Sequence, residues 1–143
     1  MSFFKNLFSS AETKRRKSHI MNLLSVAAAD GKITREEIDY LAYVAEKIYM
    51  PREEFIDVIK NPQDVIFYPP ESNRERLDQL YDLVGMMMID GHIDQDEIIR
   101  CKMFAQKLGF KSSVIDAIVA QIIDGFINHL AREAVFAQVM RML

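Results

Sequence analysis

The chain has 143 residues, of which 50% are apolar and 27% are charged, and its formal net charge is −3. This length corresponds to one ordinary domain, and the composition is that of a globular rather than a disordered protein. The negative charge argues against a general nucleic-acid binder. The single cysteine, Cys101, excludes an intramolecular disulfide framework and fits a reducing compartment.

The first predicted element is an amphipathic N-terminal segment, residues 1–14. Its apolar side chains fall on one helical face and are Phe3, Phe4, Leu7 and Phe8. A basic cluster, residues 14–17, follows, and the first 19 residues carry a net charge of +4, so the remainder carries −7. Aromatic side chains beside a basic cluster favour weak contact with a membrane surface. The alternative is that the phenylalanines pack on the domain or a partner, while the basic side chains are solvated.

Residues 15–143 are predicted to form a single all-α domain, with about seven helices in the whole chain. Apolar residues recur at helical spacing in nearly every segment, and no segment sustains the alternation of a strand. The stripes are Ile20, Leu23, Leu24 and Ala27; Ile38, Leu41, Ala45 and Ile48; Leu77, Leu80, Val84 and Met87 or Met88; Ile98, Cys101, Ala105 and Leu108; Ile115, Ile118, Val119, Ile122 and Phe126; and Leu130, Val135 and Val139. No apolar run reaches the roughly 18 residues that are needed to cross a bilayer.

Prolines mark the first boundaries between these stripes. Pro51 is predicted to open a short helix over residues 52–60, because its missing N–H is harmless at a helix start. Asn61-Pro62 is predicted to end that helix. Tyr68-Pro69-Pro70 predicts a non-helical connector between two halves of the chain.

Capping residues and glycines mark the later boundaries. Ser72 followed by Glu75 predicts a capping box at a helix start. Gly109 is predicted to close a helix in the left-handed conformation that glycine favours. Gly125 is predicted to divide the long C-terminal apolar stretch into two helices.

The chain contains an internal repeat with an offset of 60 residues. When residues 30–48 are set over residues 90–108, seven of the nineteen positions are identical, beginning with an Asp-Gly pair in each copy. Each repeat, about residues 20–60 and 80–120, is predicted to form a helix, a tight Asp-Gly turn, a second helix and a short helix. Two such halves are expected to pack about a pseudo-twofold axis, with their Asp-Gly turns in related positions.

The acidic residues around the turns allow a structural interpretation. Thr34 with Glu37, and Asp94 with Glu97, have the spacing of capping boxes, in which the glutamate accepts a hydrogen bond from a free backbone N–H. Under this interpretation the glutamates only define the helix starts. Asp30 and Asp90 are not explained by it.

The same acids also allow a metal-binding interpretation. The spacing Asp-Gly-x-Ile-x-x-x-Glu matches the second half of a calcium-binding loop, but the first ligand positions are apolar in both copies, so neither loop is complete. Pooled across the pseudo-twofold axis, the two turns could hold one divalent cation, with calcium, magnesium, manganese and zinc all allowed. We call this predicted set the four-carboxylate site; it consists of Asp30, Glu37, Asp90 and Glu97.

Enzyme signatures are absent from the sequence. It contains no His-Glu-x-x-His, no Gly-x-Gly-x-x-Gly, no phosphate loop and no nucleophile elbow. His92 is interpreted as a solvated turn residue and Cys101 as a core residue. At least two of the three residues Met86, Met87 and Met88 are expected in the core, because consecutive residues face different sides of a helix.

The repeated turn motif resembles the TerB-like tellurite-resistance domain, a relative of which occurs in a membrane-anchored DnaJ-type co-chaperone. The resemblance covers about residues 15–142. The matching residues are Ala27-Ala28-Ala29-Asp30-Gly31-Lys32-Ile33 with Glu36 and Glu37, and Asp90-Gly91-His92-Ile93 with Asp96 and Glu97. The chain departs from the family in its Met86–Met88 run and its Phe-rich N-terminus, and it lacks the His-Pro-Asp of a J-domain.

The resemblance implies a non-enzymatic helical domain associated with tellurite and stress resistance and with membrane-linked, metal-sensing assemblies. We therefore expect a module that binds a divalent cation at the four-carboxylate site and docks on a membrane-associated protein partner, with homo-oligomers allowed. The alternative is a metal-free structural adaptor that docks on a partner protein or membrane surface. The expected location is the cytoplasm, including the inner face of the membrane.

Overall fold

The computed structural model describes residues 10–29 and 31–143. Over this part of the chain it contains seven α-helices, one short 3₁₀ turn and no strand, which confirms the predicted all-α class. The helices are α1 (Ala11–Ala27), α2 (Arg35–Lys47), α3 (Arg52–Lys60), α4 (Asn73–Met87), α5 (Gln95–Leu108), α6 (Ser112–Ile127) and α7 (Arg132–Met140), and the 3₁₀ turn is Pro62–Asp64. No helix among the described residues is long and apolar enough to span a membrane.

The chain divides into two compact units, Met1–Pro69 and Pro70–Leu143. The boundary lies within the Tyr68-Pro69-Pro70 stretch, which is non-helical as expected. The first unit contains α1 to α3 and the second α4 to α7. The pseudo-twofold relation between the halves stays a prediction.

In the first unit, α1 packs against both α2 and α3. Its core contains Ile20, Leu23, Leu41, Val44 and Val58. Ile38 was predicted to share the stripe of Leu41 but is 51% exposed. The buried face of α2 centres on Leu41, Val44 and Ala45, which rotates Ile38 towards solvent.

In the second unit, α5 packs against α4 and α6, and α6 packs against α7. The largest fully buried side chains of this unit include Leu77, Leu80, Leu83, Leu108, Ile118, Ile122 and Phe136. Met86, Met87 and Met88 are all buried, which confirms their expected place in the core. Cys101 is also fully buried, as expected.

Most predicted boundaries are confirmed. Pro51 is the N-cap of α3, which ends before Asn61. Gly109 ends α5 in the left-handed conformation with φ +111°. At the start of α4, the Ser72 side chain accepts a hydrogen bond from the Glu75 backbone N–H at 3.1 Å, which is one half of the predicted capping box.

The prediction for Gly125 is wrong, because α6 continues through it to Ile127. The chain turns later, where His129 adopts a positive φ of 53°. Gly125 instead marks a close approach of α6 and α7. A Cβ atom at this position would lie 2.5 Å from Cγ2 of Val135, so only glycine leaves room for the packing.

Candidate functional site: the two Asp-Gly turns

The first turn joins α1 to α2. Gly31 has φ +86°, and its N–H donates to the Ala28 carbonyl at 3.0 Å. A Cβ atom on Gly31 would meet nothing within 4 Å. Glycine is therefore favoured here by the positive φ and not by lack of space.

The second turn joins α4 to α5 and repeats this geometry. Gly91 has φ +94°, and its N–H donates to the Met88 carbonyl at 2.9 Å. The space around it is also open. The repeat seen in the sequence is thus a repeat of local backbone structure.

Both helices that follow the turns begin with a complete capping box, as predicted. In α2, the Glu37 N–H donates to Thr34 Oγ1 at 3.1 Å, and the Thr34 N–H donates to Glu37 Oε1 at 2.8 Å. In α5, the Glu97 N–H donates to Asp94 Oδ1 at 2.8 Å, and the Asp94 N–H donates to Glu97 Oε1 at 3.2 Å. Both glutamates therefore take the capping role that their spacing predicts.

The aspartates of the turns differ in what the structure shows. Asp30 lies outside the described residues. The Asp90 side chain is 61% exposed, and its Oδ1 atom lies 3.6 Å from Nδ1 of His92. The His92 backbone N–H also donates to Asp90 Oδ1 at 3.4 Å. His92 is 76% exposed, in agreement with its interpretation as a solvated turn residue.

The described residues contain no group of three or more His, Cys, Asp or Glu side chains placed to hold a metal ion. The four-carboxylate site includes Asp30, which the structure does not describe, so this site stays a prediction. The chemistry of the remaining donors fits a hard cation, since carboxylate oxygens are its preferred ligands. Capping engages only Oε1 of Glu37 and of Glu97, which leaves Oε2 of each for another contact.

The basic cluster is engaged within the first unit, and the expectation that its charges are solvated is wrong. Arg16 forms a bidentate pair with Glu54 on α3, at 2.9 and 2.8 Å. Lys17 is buried and pairs with Asp57 at 2.8 Å. The hydrogen bonds that Arg16 donates to the Glu54 carboxylate raise the pKa of Arg16, and burial partly opposes this effect.

The other two cations of the cluster lie over an aromatic ring. The Lys14 ammonium is 5.6 Å and the Arg15 guanidinium 5.8 Å from the centroid of the Tyr68 ring. The connector is also held to α1, because the Tyr68 N–H donates to Ser18 Oγ at 2.9 Å. The phenylalanines Phe3, Phe4 and Phe8, with Leu7, lie outside the described residues.

A second charged cluster was missed by the sequence analysis. Arg132 at the start of α7 hydrogen-bonds Asp78 and Asp82 on α4, and its guanidinium lies 4.7 Å from the ring centroids of Tyr81 and Phe136. Burial lowers the pKa of Arg132, but the two aspartates outweigh this effect and raise it. Arg132 lies 50 or more residues from both aspartates, so no local sequence pattern indicates this cluster.

Comparison with known protein families finds a similarity over the first part of the chain. Residues 1–60 match the family model described as tellurite resistance protein TerB. This match includes the first Asp-Gly turn and, over these residues, confirms the resemblance inferred from the turn motif. Searches of curated proteins and of solved structures found no match.

Proposed function

We propose that this chain, which carries a TerB-like tellurite-resistance domain, is a non-enzymatic interaction module that binds one divalent cation through Asp30, Glu37, Asp90 and Glu97. The observation that supports the proposal is the similar local structure of the two turns over their described residues. In both, a glycine with positive φ is followed by a capping glutamate that keeps one carboxylate oxygen uncommitted. Two turns of similar geometry could each supply carboxylate ligands to one shared cation.

The cation would act through charge. Carboxylates that are brought near one another repel, and a divalent ion removes that repulsion. Binding would therefore stabilise one arrangement of the two turns and change the charge that a partner protein meets. A local change of charge with a wider effect is a common form of regulation.

The alternative function is a metal-free adaptor that docks on a protein or membrane surface. The complete capping boxes favour it, because they already account for Glu37 and Glu97 without any ion. The two functions differ in one measurable property, which is saturable binding of a divalent cation.

The test is calorimetric titration of the metal-free protein with calcium, magnesium, manganese and zinc. The variant combines Asp30→Asn, Glu37→Gln, Asp90→Asn and Glu97→Gln. Asparagine and glutamine keep an acceptor oxygen, so both capping boxes can persist while four charges are removed. The matched control removes four exposed charges elsewhere, through Asp39→Asn, Glu53→Gln, Glu71→Gln and Asp116→Asn.

Saturable binding by the wild type and the control, but not by the turn variant, is the expected result. Equal binding by all three proteins would mean that the ion binds elsewhere. If no protein binds up to about 10 mM metal, which is weaker than even extracellular calcium modules, the adaptor function remains.

We further propose that the partner is membrane-associated and that Phe3, Phe4, Leu7 and Phe8 contribute weak contact with the membrane surface. The support is the amphipathic pattern of the segment, while the engagement of residues 14–17 within the first unit reduces the positive charge available to lipid.

The test of this membrane contact is flotation with vesicles of phosphatidylcholine and phosphatidylglycerol. Phe4→Ser with Phe8→Ser should abolish flotation, whereas equal flotation of wild type and variant would reject this contact.

A further inference from the structure

The second unit contains a cavity of about 340 Å³ between the starts of α4 and α6, next to the end of the chain. One part of its wall is apolar and includes Phe110, Val114 and Met142. The other part carries the cationic side chains of Arg76 and Lys111, with the polar residues Asn73 and Ser113. The cavity is distinct from the Asp-Gly turns.

The charge of this cavity is opposite to that of the molecule. The chain has a net charge of −3, yet two cations and no aspartate or glutamate side chain line the cavity. Leu143 also lines the wall. Among the described residues, neither Arg76 nor Lys111 forms an ion pair, with Leu143 or with any acidic side chain. Two cations in one concave wall, neither of them in an ion pair, attract an anion.

Arg76 is held in place for such a role. Its Nη1 donates to Asn73 Oδ1 at 3.0 Å. Its Nε lies 3.0 Å from the position that a Cβ atom on Gly109 would occupy, so glycine permits this close packing. The Nε atom is buried and has no hydrogen-bond partner within the described chain, and a buried donor without an acceptor is unfavourable.

Backbone groups on the same wall add to the attraction. Lys111 is the N-cap of α6 and makes no side-chain capping bond, and the first turn of α6 contains no acid. The Val114 N–H donates to the Lys111 carbonyl at 3.1 Å, but no side chain at this helix start supplies the acceptor that Ser10, Thr34, Ser72 and Asp94 supply to other helices. An oxyanion beside Ser113 would accept hydrogen bonds from backbone N–H groups at the start of α6.

We propose that this cavity binds a small organic anion. Arg76 and Lys111 hold its oxyanion group, a phosphate or a carboxylate, and Phe110, Val114 and Met142 contact its apolar part. A volume of about 340 Å³ is at the lower end of ligand pockets, which are roughly 300–1,000 Å³, so the ligand is the size of a substituted benzene ring. This site does not depend on the metal proposal.

The test uses the isotope-labelled full chain and three probes at constant ionic strength: phenyl phosphate, benzoate and inorganic phosphate. Amide resonances of Ser113 and Val114 should shift saturably with an aryl anion, and the tighter of phenyl phosphate and benzoate identifies the oxyanion group. Inorganic phosphate should bind more weakly, because it lacks the apolar part. No saturable shift with either aryl anion would overturn the proposal.

The variants are Arg76→Gln and Lys111→Gln. Each should weaken aryl-anion binding at least about tenfold, since a hydrogen bond to a charged group contributes roughly 1.5–3 kcal/mol and about 1.4 kcal/mol is tenfold in affinity. The matched control is Lys102→Gln, which removes a cation that is paired with Asp116 outside the cavity. Lys111 is exposed, so its variant tests the site even if Arg76→Gln lowers stability. Equal affinity of the wild type and both cavity variants would also overturn the proposal.

Discussion

At the scale of single residues, Cys101 shows how burial controls chemistry. Its Sγ atom lies 3.1 Å from Sδ of Met87 in the core of the second unit. Burial, with a smaller contribution from the charge of Glu97, raises the pKa of the Cys101 thiol to about 12. Since the thiolate is the reactive form, the folded protein keeps this cysteine inert.

We therefore predict that Cys101 reacts with a thiol reagent at pH 8 at least 100-fold more slowly in the folded protein than in urea, because two or more pKa units separate the states. The same shift makes stability fall as the pH rises from about 9 to about 12, since the unfolded thiol loses its proton first. Urea unfolding of wild type and Cys101→Ala at pH 8 and pH 10 isolates this effect. Rapid labelling of the folded protein would contradict the burial.

Gly125 is a residue whose missing side chain matters. We predict that Gly125→Ala lowers the free energy of unfolding by about 1–3 kcal/mol, although alanine is the better helix former by about 1 kcal/mol. The cause is the 2.5 Å approach to Cγ2 of the buried Val135. Urea denaturation followed by circular dichroism measures the loss.

The double variant provides the control for this prediction. In the background of Val135→Ala the overlap is gone, so Gly125→Ala should become neutral or stabilising. An unchanged penalty in that background would show that the close approach to Val135 is not the cause.

At the scale of elements, the starts of α2 and α5 are the best-defined features. Each capping box satisfies two backbone N–H groups that a helix start otherwise leaves open. The boxes are local, because the partners are three residues apart. This is why their spacing was already visible in the sequence.

We predict that Thr34→Ala lowers the free energy of unfolding by about 0.5–2 kcal/mol. Thr34→Ser keeps the hydroxyl acceptor and should cost much less. The loss in Thr34→Ala should be the same with and without divalent cations, measured by urea denaturation in chelator and in metal. A loss that appears only in metal would mean that Thr34 serves the cation site rather than the helix start.

At the scale of the whole molecule, stability depends on two cores. Leu23 lies in the core of the first unit and Leu80 in that of the second, and both are fully buried. We predict that Leu23→Ala and Leu80→Ala each lower the free energy of unfolding by about 2–5 kcal/mol. The control is Leu130→Ala, since this side chain is 39% exposed. A comparable loss in the control would contradict the assignment of the cores.

The part of the site that could be predicted is the part built from near neighbours. Gly31, Gly91 and the capping glutamates adopt the roles expected from their spacing. The ion pairs of Arg16 and Lys17 could not be predicted, because Glu54 and Asp57 lie 38 and 40 residues further along the chain. The cavity near Arg76 and Lys111 was missed for the same reason, since different elements supply its wall.

Sequence reasoning predicts the all-α class, most helix boundaries and the capping after the Asp-Gly turns, because these depend on hydrogen bonds and sterics within about four residues. Contacts between segments that are distant in the chain determine which helix faces are buried, how the basic cluster is paired and why position 125 requires glycine. Ile38 is exposed, and α6 continues past Gly125. In both cases contacts between helices outweigh local propensity. The spacing of apolar residues predicts that a helix forms, but packing against other helices determines which of its faces is buried.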